Sequence, residues 1–134
     1  MIVADTNIIG YLFLNSVHTD QAERALQKDP NWSAPFLWRS EFRNVLSLYV
    51  RRQILKLEDS QRVMAVAIQL MQNHEYEVAS DPVLNLAAFS GCSAYDCEFV
   101  ALAKDLALPL ITVDKQILKR FPETAISLEQ FITG

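Results

Sequence analysis

The first eight residues, Met1-Ile2-Val3-Ala4-Asp5-Thr6-Asn7-Ile8, constrain this chain more than any other stretch. Ile2, Val3 and Ala4 read as a short buried strand, and Asp5 stands where that strand stops. Thr6 and Asn7 then open a helix carrying Ile8, Ile9, Leu12 and Phe13. In an open parallel sheet, ligands bind outside the carboxyl ends of the strands. Asp5 is therefore a carboxylate aimed at the functional edge of such a sheet. Its ordinary reading is a helix N-cap, but the same arrangement recurs twice more along the chain.

The pattern after this start alternates. Helices are expected over residues 6–14 and 18–28, the second packing Ala22, Ala25 and Leu26 and stopped by Asp29-Pro30. Trp32 to Pro35 is a short extended piece. A long helix over 37–52 places Phe42, Val45, Leu46, Tyr49 and Val50 on one stripe. A second, over 58–74, places Val63, Val66, Ala67, Leu70 and Met71 inward. Glu77 to Ser80 reads as a short strand. Asp81-Pro82 then starts a helix, with Pro at its first position, that buries Leu84, Ala87 and Ala88 and ends near Gly91. A helix from Ser93 to about Ala107, a strand from Leu110 to Val113 and a short helix over 115–121 follow. A strand over 124–127 and a last helical turn complete the pattern. Strands alternating with helices predict a three-layer α/β fold with a mainly parallel central sheet flanked by helices. Residues 1–134 are expected to form one domain, with a helical hairpin near 37–74 standing off the sheet and available to a partner.

Composition narrows the function classes. Apolar residues make up 51% of the 134, which argues against extended disorder. No apolar run approaches a membrane span, and no basic-then-apolar leader precedes the first strand. A soluble, cytoplasmic protein without membrane attachment is expected. Two cysteines, Cys92 and Cys97, suit buried thiols in a reducing compartment, and with only His18 and His74 beside them the sequence argues against a Cys/His zinc site. The formal charge of −4, from 12 basic and 16 acidic residues, argues against a protein that coats nucleic acid through bulk positive charge. It leaves open an acidic pocket that holds a cation.

Four acids mark such a pocket. Asp114 ends the last clear strand as Asp5 ends the first. Asp96 lies in Ser93-Ala-Tyr-Asp96, where a capping box would also use it, yet it shares a helical face with Val100, Ala103 and Ala107. Glu41 has no cap to explain it: it shares a face with Val45 and Leu48, while Arg39 and Arg43 lie on the other side. Four such carboxylates within about 5 Å would repel by roughly 3 kcal/mol per pair at an effective dielectric near 20. A hard divalent cation, Mg²⁺ or Mn²⁺, relieves that cost and suits phosphoryl chemistry. Thr6, Asn7 and Thr112 stand where they could orient these acids.

Asp5-Thr6-Asn7, Glu41 in the third helix, Tyr95-Asp96 and Thr112-Val-Asp114, in this order, resemble the PIN-domain ribonucleases. The match is nearest to the VapC-like toxins of bacterial and archaeal toxin–antitoxin pairs. Ser93 to Ala103 and Leu108 to Asp114 resemble that family's C-terminal half. The resemblance implies a PIN fold and a metal-dependent endoribonuclease. Asp5, Asp96 and Asp114 would hold the metal, and Glu41 would bind it directly or through water. It further implies cleavage of RNA to a 5′-phosphate and a 3′-hydroxyl, a homodimer, and an antitoxin partner. The competing reading is a PIN-like module that binds RNA or an antitoxin without cutting.

The remaining features read as ordinary. The basic set Arg39, Arg43, Arg51, Arg52 and Lys56 suits RNA phosphates, an acidic partner, or simply a solvated helix face. Glu98 reads either as a further acid of the pocket or, more simply, as a surface position on its helix, and Trp32 and Trp38 read as packing residues. An Asp-nucleophile phosphotransferase would want a second acid where Asn7 stands, and would leave Glu41 without a role.

Overall fold

The strands are short, two to four residues each, and the three central ones are wholly buried. In the computed structural model, which describes residues 1–134, the elements follow in order: β1 Ile2–Ala4, α1 Thr6–Phe13, α2 Thr19–Lys28, β2 Trp32–Pro35, α3 Leu37–Arg51, α4 Leu57–Met71, β3 Glu75–Tyr76, α5 Ser80–Ser90, α6 Ala94–Leu106, β4 Leu110–Thr112, α7 Lys115–Arg120, β5 Ala125–Ser127 and α8 Leu128–Thr133. The five strands form one sheet in the order β3-β2-β1-β4-β5, and every pairing is parallel. Ile2 lies beside Trp32, and Val3 beside both Ser33 and Leu110. Ile2, Val3, Ala4, Leu110 and Ile111 are at most 1% exposed, as a parallel sheet covered on both faces requires.

Helix α6 lies across β1, β2 and β4, with α5 packed on α6. Helices α1, α2 and α8 pack in sequence on one another, and α8 reaches β4 and β5. The result is the three-layer α/β arrangement, with one core cluster running from Ile2 to Leu128. From β1 the chain crosses to β2 on one side, and later to β4 on the other. The boundary between β1 and β4 is therefore the topological switch point where such folds bind ligands. No helix is long and apolar enough to cross a membrane.

Helices α3 and α4 pack against each other, and both also touch α1 and β2. Trp38, Phe42 and Leu46 from α3, and Ala67 and Met71 from α4, belong to the core. The pair is thus rooted in the sheet rather than free of it.

Several local expectations shift. Val66 is 50% exposed, whereas Ala67 and Met71 are buried as expected and Val63 and Leu70 pack against the core, with Met64 and Ile68 beside them. The third strand is Glu75–Tyr76, not Glu77–Ser80. Asn73 turns the chain in a left-handed conformation (φ 70°), which brings it onto β2 early, with Ala34 beside Glu75. Helix α5 starts at Ser80, so Pro82 sits third in the first turn, where its missing N–H still costs nothing. Leu84 and Ala88 are exposed; Ala87 packs against the core as expected, joined by Val83, Leu86 and the buried Ser90. Apolar residues on both sides of this helix made its inner face ambiguous. Ala107 is not on the Asp96 stripe, because it ends α6 in a left-handed conformation. The strand before Asp114 stops at Thr112. Trp32 and Trp38 are wholly buried, and Cys92 and Cys97 are free buried thiols.

Candidate active site

The site is built at the carboxyl ends of β1 and β4. Asp5 leaves β1 in an extended conformation and caps α1. Its Oδ1 accepts the Thr6 N–H at 2.8 Å, and its Oδ2 accepts the Thr112 hydroxyl at 2.6 Å. Thr112, the last residue of β4 and wholly buried, also accepts the Asp114 N–H on its Oγ1 at 3.0 Å. One hydroxyl thus ties the two strand ends together. Asp114 in turn caps α7 by accepting the Ile117 N–H at 3.0 Å. Capping and presentation at the sheet edge are therefore combined in the same two side chains.

Glu41 reaches the same place from α3. Its Oε1 accepts the Thr6 hydroxyl at 2.6 Å, so Thr6 donates to Asp5 through its backbone and to Glu41 through its side chain. Asp96 comes from the first turn of α6. The Ser93 hydroxyl accepts the Asp96 N–H at 3.0 Å, but no reciprocal bond from the Ser93 N–H ties up the Asp96 carboxylate. Asn7 makes no bond to these acids and is exposed.

The four acids interact electrostatically. Burial pushes the Asp5 carboxyl up to about 6; the Thr112 and Thr6 hydrogen bonds oppose that rise, and the charges of Glu41 and Asp96 add to it. Glu41 is raised by burial and by the charges of Asp96 and Glu98, against the Thr6 hydroxyl. Asp96 is raised by burial and by the charge of Asp114. Glu98 belongs beside this group. It is half-buried, burial raises its carboxyl, and its charge acts on Glu41, so it is not a plain surface acid. The available signal was an acid early in α6 with no basic residue three or four positions away.

Arg39 is not part of a free basic patch. Its guanidinium forks onto Glu75, with Nε and Nη2 each donating at 2.6 Å. Arg43 and Arg51 are exposed along a groove of about 580 Å³ between α3 and α4, which Leu46, Val50 and Met64 also line. No basic side chain is paired with Asp5, Glu41, Asp96 or Asp114. No three acids converge on a single point as a preformed cage. The fit to a hard divalent cation is therefore one of donor chemistry and charge: an all-oxygen, uncompensated acid group, with Asp5 held by two hydrogen bonds.

The sequence profile described as "PIN domain" matches residues 2–123. The chain belongs to the PIN domain family. All four acids and both threonines lie within the matched span. Ribonuclease VapC3 from Pyrobaculum aerophilum is 27% identical over 124 residues, covering 90% of this chain and 95% of that protein. Among solved structures, PAE2754 from Pyrobaculum aerophilum superposes with a TM-score of 0.79 at 19% identity, covering 98% of this chain and 93% of that one. A toxin–antitoxin complex from Klebsiella pneumoniae gives 0.69 at 19% identity, covering 96% and 98% of the two chains. FitAcB from Neisseria gonorrhoeae gives 0.72 at 17% identity, covering 96% and 99%. The PIN fold thus accounts for the chain from its first strand to its last helix.

Proposed function

We propose that this PIN domain protein is an Mg²⁺- or Mn²⁺-dependent endoribonuclease and the toxin of a toxin–antitoxin pair. The observation that carries the proposal is the group of mutually repelling carboxylates at the β1/β4 switch point, with no basic partner. A relative named as a ribonuclease and a structural neighbour that is a toxin–antitoxin complex support it. In this reading Asp5, Glu41, Asp96 and Asp114 hold the cation. When bound, the cation supplies Lewis-acid stabilisation of the phosphodiester and lowers the pKa of a coordinated water.

The chain's own residues set the geometry. Thr112 and the Thr6 N–H fix both oxygens of Asp5, and each oxygen keeps a lone pair for a cation. The Thr6 hydroxyl orients Glu41, and the Thr112 hydroxyl sets the backbone from which Asp114 projects. Water adds to phosphorus in line, the P–O3′ bond breaks and the proton passes to O3′, leaving a 5′-phosphate and a 3′-hydroxyl. The groove with Arg43 and Arg51 is offered to an acidic antitoxin segment. The protein works as a cytoplasmic homodimer.

Cleavage of a mixed cellular RNA pool with Mg²⁺ or Mn²⁺, beside EDTA and Asp96→Asn controls, tests the assignment. Discrete cuts that require both metal and Asp96 are expected, with the variant at least about a thousandfold slower. RNA bound but never cut would replace the enzyme with a binding module.

A further inference from the structure

The mechanism leaves unused a small cavity between α1 and α3 that starts at Thr6, the residue that holds both Asp5 and Glu41. Its volume is about 120 Å³, the space of a single flat ring, and its wall includes Asn7, Tyr11, Ser16, Phe42 and Tyr49. Tyr11 lies one helical turn beyond Asn7, on the same face of α1. Its ring stands against that of His18, with centroids 4.6 Å apart and planes tilted by 35°. Both rings are half-buried, so each keeps surface for a visitor.

The loop that presents His18 is built to hold it. The Ser16 hydroxyl accepts the His18 N–H at 3.1 Å, and Thr19 accepts the Ser16 N–H at 3.0 Å while donating to the Leu14 carbonyl at 3.0 Å. His18 occupies the cap position of α2 yet makes no side-chain capping bond. Burial, and after it the charge of Asp5, pushes the Tyr11 phenol above its ordinary value. An aromatic pair thus stands beside the carboxylates that the ribonuclease reading assigns to the scissile phosphate.

We propose that Tyr11, with the His18 ring against it, forms a stacking subsite for one nucleobase of single-stranded RNA, adjacent to the acidic site. The inference rests on the ribonuclease reading for the position of the phosphate. A base suits the cavity because its π-face stacks on aromatic rings without needing positive charge, which this acidic region lacks. Its polar edge finds exposed Asn7 and half-buried Ser16 at the wall. The same acids repel an acidic peptide. Tyr49 adds a further aromatic side chain to the wall.

The test is equilibrium binding of single-stranded RNA oligonucleotides carrying 2-aminopurine at successive positions. All proteins carry Asp96→Asn, so that no cutting intervenes, and are compared with and without Tyr11→Leu, Tyr11→Phe or His18→Leu. Quenching at one position is expected, lost with Tyr11→Leu and retained with Tyr11→Phe. Affinity should fall roughly tenfold with Tyr11→Leu. An abasic nucleotide at that position should cost the parent the same factor and cost Tyr11→Leu nothing further. Equal affinity of parent and Tyr11→Leu overturns the subsite, as does an abasic cost that is the same in both, or no RNA binding at all. His18→Leu gives the same readout if Tyr11→Leu does not fold. Cleavage by the otherwise wild-type chain separates the two ideas. Tyr11-dependent quenching without any cleavage keeps the subsite and removes the nuclease. Cleavage with an unchanged KM in Tyr11→Leu does the reverse.

Discussion

At Asp5, burial and ionisation oppose each other within one side chain. The residue is 9% exposed, and its carboxyl is raised from an ordinary 3.8 to about 6. Below pH 3.8 both folded and unfolded chains hold the proton, so the group contributes nothing. Between 3.8 and 6 only the folded chain holds it, so stability falls as pH rises, by about 3 kcal/mol in all. Glu41, Asp96 and Glu98 are raised too and act in the same direction. Asp5→Asn is therefore expected to stabilise the protein in EDTA at pH 7.5 by about 1–2 kcal/mol, because an amide still satisfies one of the two donors. Urea unfolding between pH 4 and 8 checks this; parallel pH profiles for variant and wild type would sink it. The position of Asp5 was legible because a strand-to-helix boundary is local. The hydroxyl that ties Asp5 to Asp114 was visible only as a nearby Thr112, since its bond to Asp5 spans 107 residues. The choice between the two readings of Glu98 is open in the sequence for the same reason: its neighbour in charge, Glu41, sits on another helix.

Helix α3 shows how an element without a side-chain cap is still held in place. Phe36 precedes it and offers no capping bond. The first turns are instead fastened to β3 by Glu75, whose side chain is 5% exposed and accepts from Trp38 Nε1 at 2.7 Å and from Arg39 twice. Arg39 holds the Glu75 carboxyl below its ordinary value, so this contribution is present above pH 4.5 and is lost as pH falls through the lower folded value. Arg39 is 30% exposed, so water shares the work. Glu75→Gln is expected to cost about 1–2 kcal/mol, whereas Arg62→Ala, which breaks the exposed pair with Asp59, should leave the melting temperature unchanged. Chemical denaturation of the two variants measures the contrast; equal costs would mean that Glu75 is no anchor. The long helices were readable because their apolar period repeats several times. Strand β3 was misplaced because two residues carry no period, and its location depends on pairing with Ala34 and Pro35. The inner face of α5 was only partly legible for the opposite reason, an excess of apolar residues.

The acids stand at 5, 41, 96 and 114, so no short segment of the unfolded chain contains the site. The sheet order places β1 between β2 and β4, and this brings the first and fourth strands edge to edge with Asp5 bound through Thr112. Their order along the chain was enough to suggest the family, but their meeting place is a property of the crossovers. A cation that binds these acids therefore binds the folded chain and not the unfolded one, and it stabilises the fold by mass action, about 2.7 kcal/mol at a hundred times its Kd. The same binding requires Asp5 to give up the proton it holds below about pH 6, so protons and cation compete for the site. Millimolar Mn²⁺ is expected to raise the melting temperature at pH 7.5, to raise it less at pH 5, and to have little effect on Asp96→Asn at either pH. A thermal titration of both proteins at both pH values measures this. A flat response of the wild type at pH 7.5 would remove the cation from the site. An equal response at the two pH values would instead move it to acids other than Asp5.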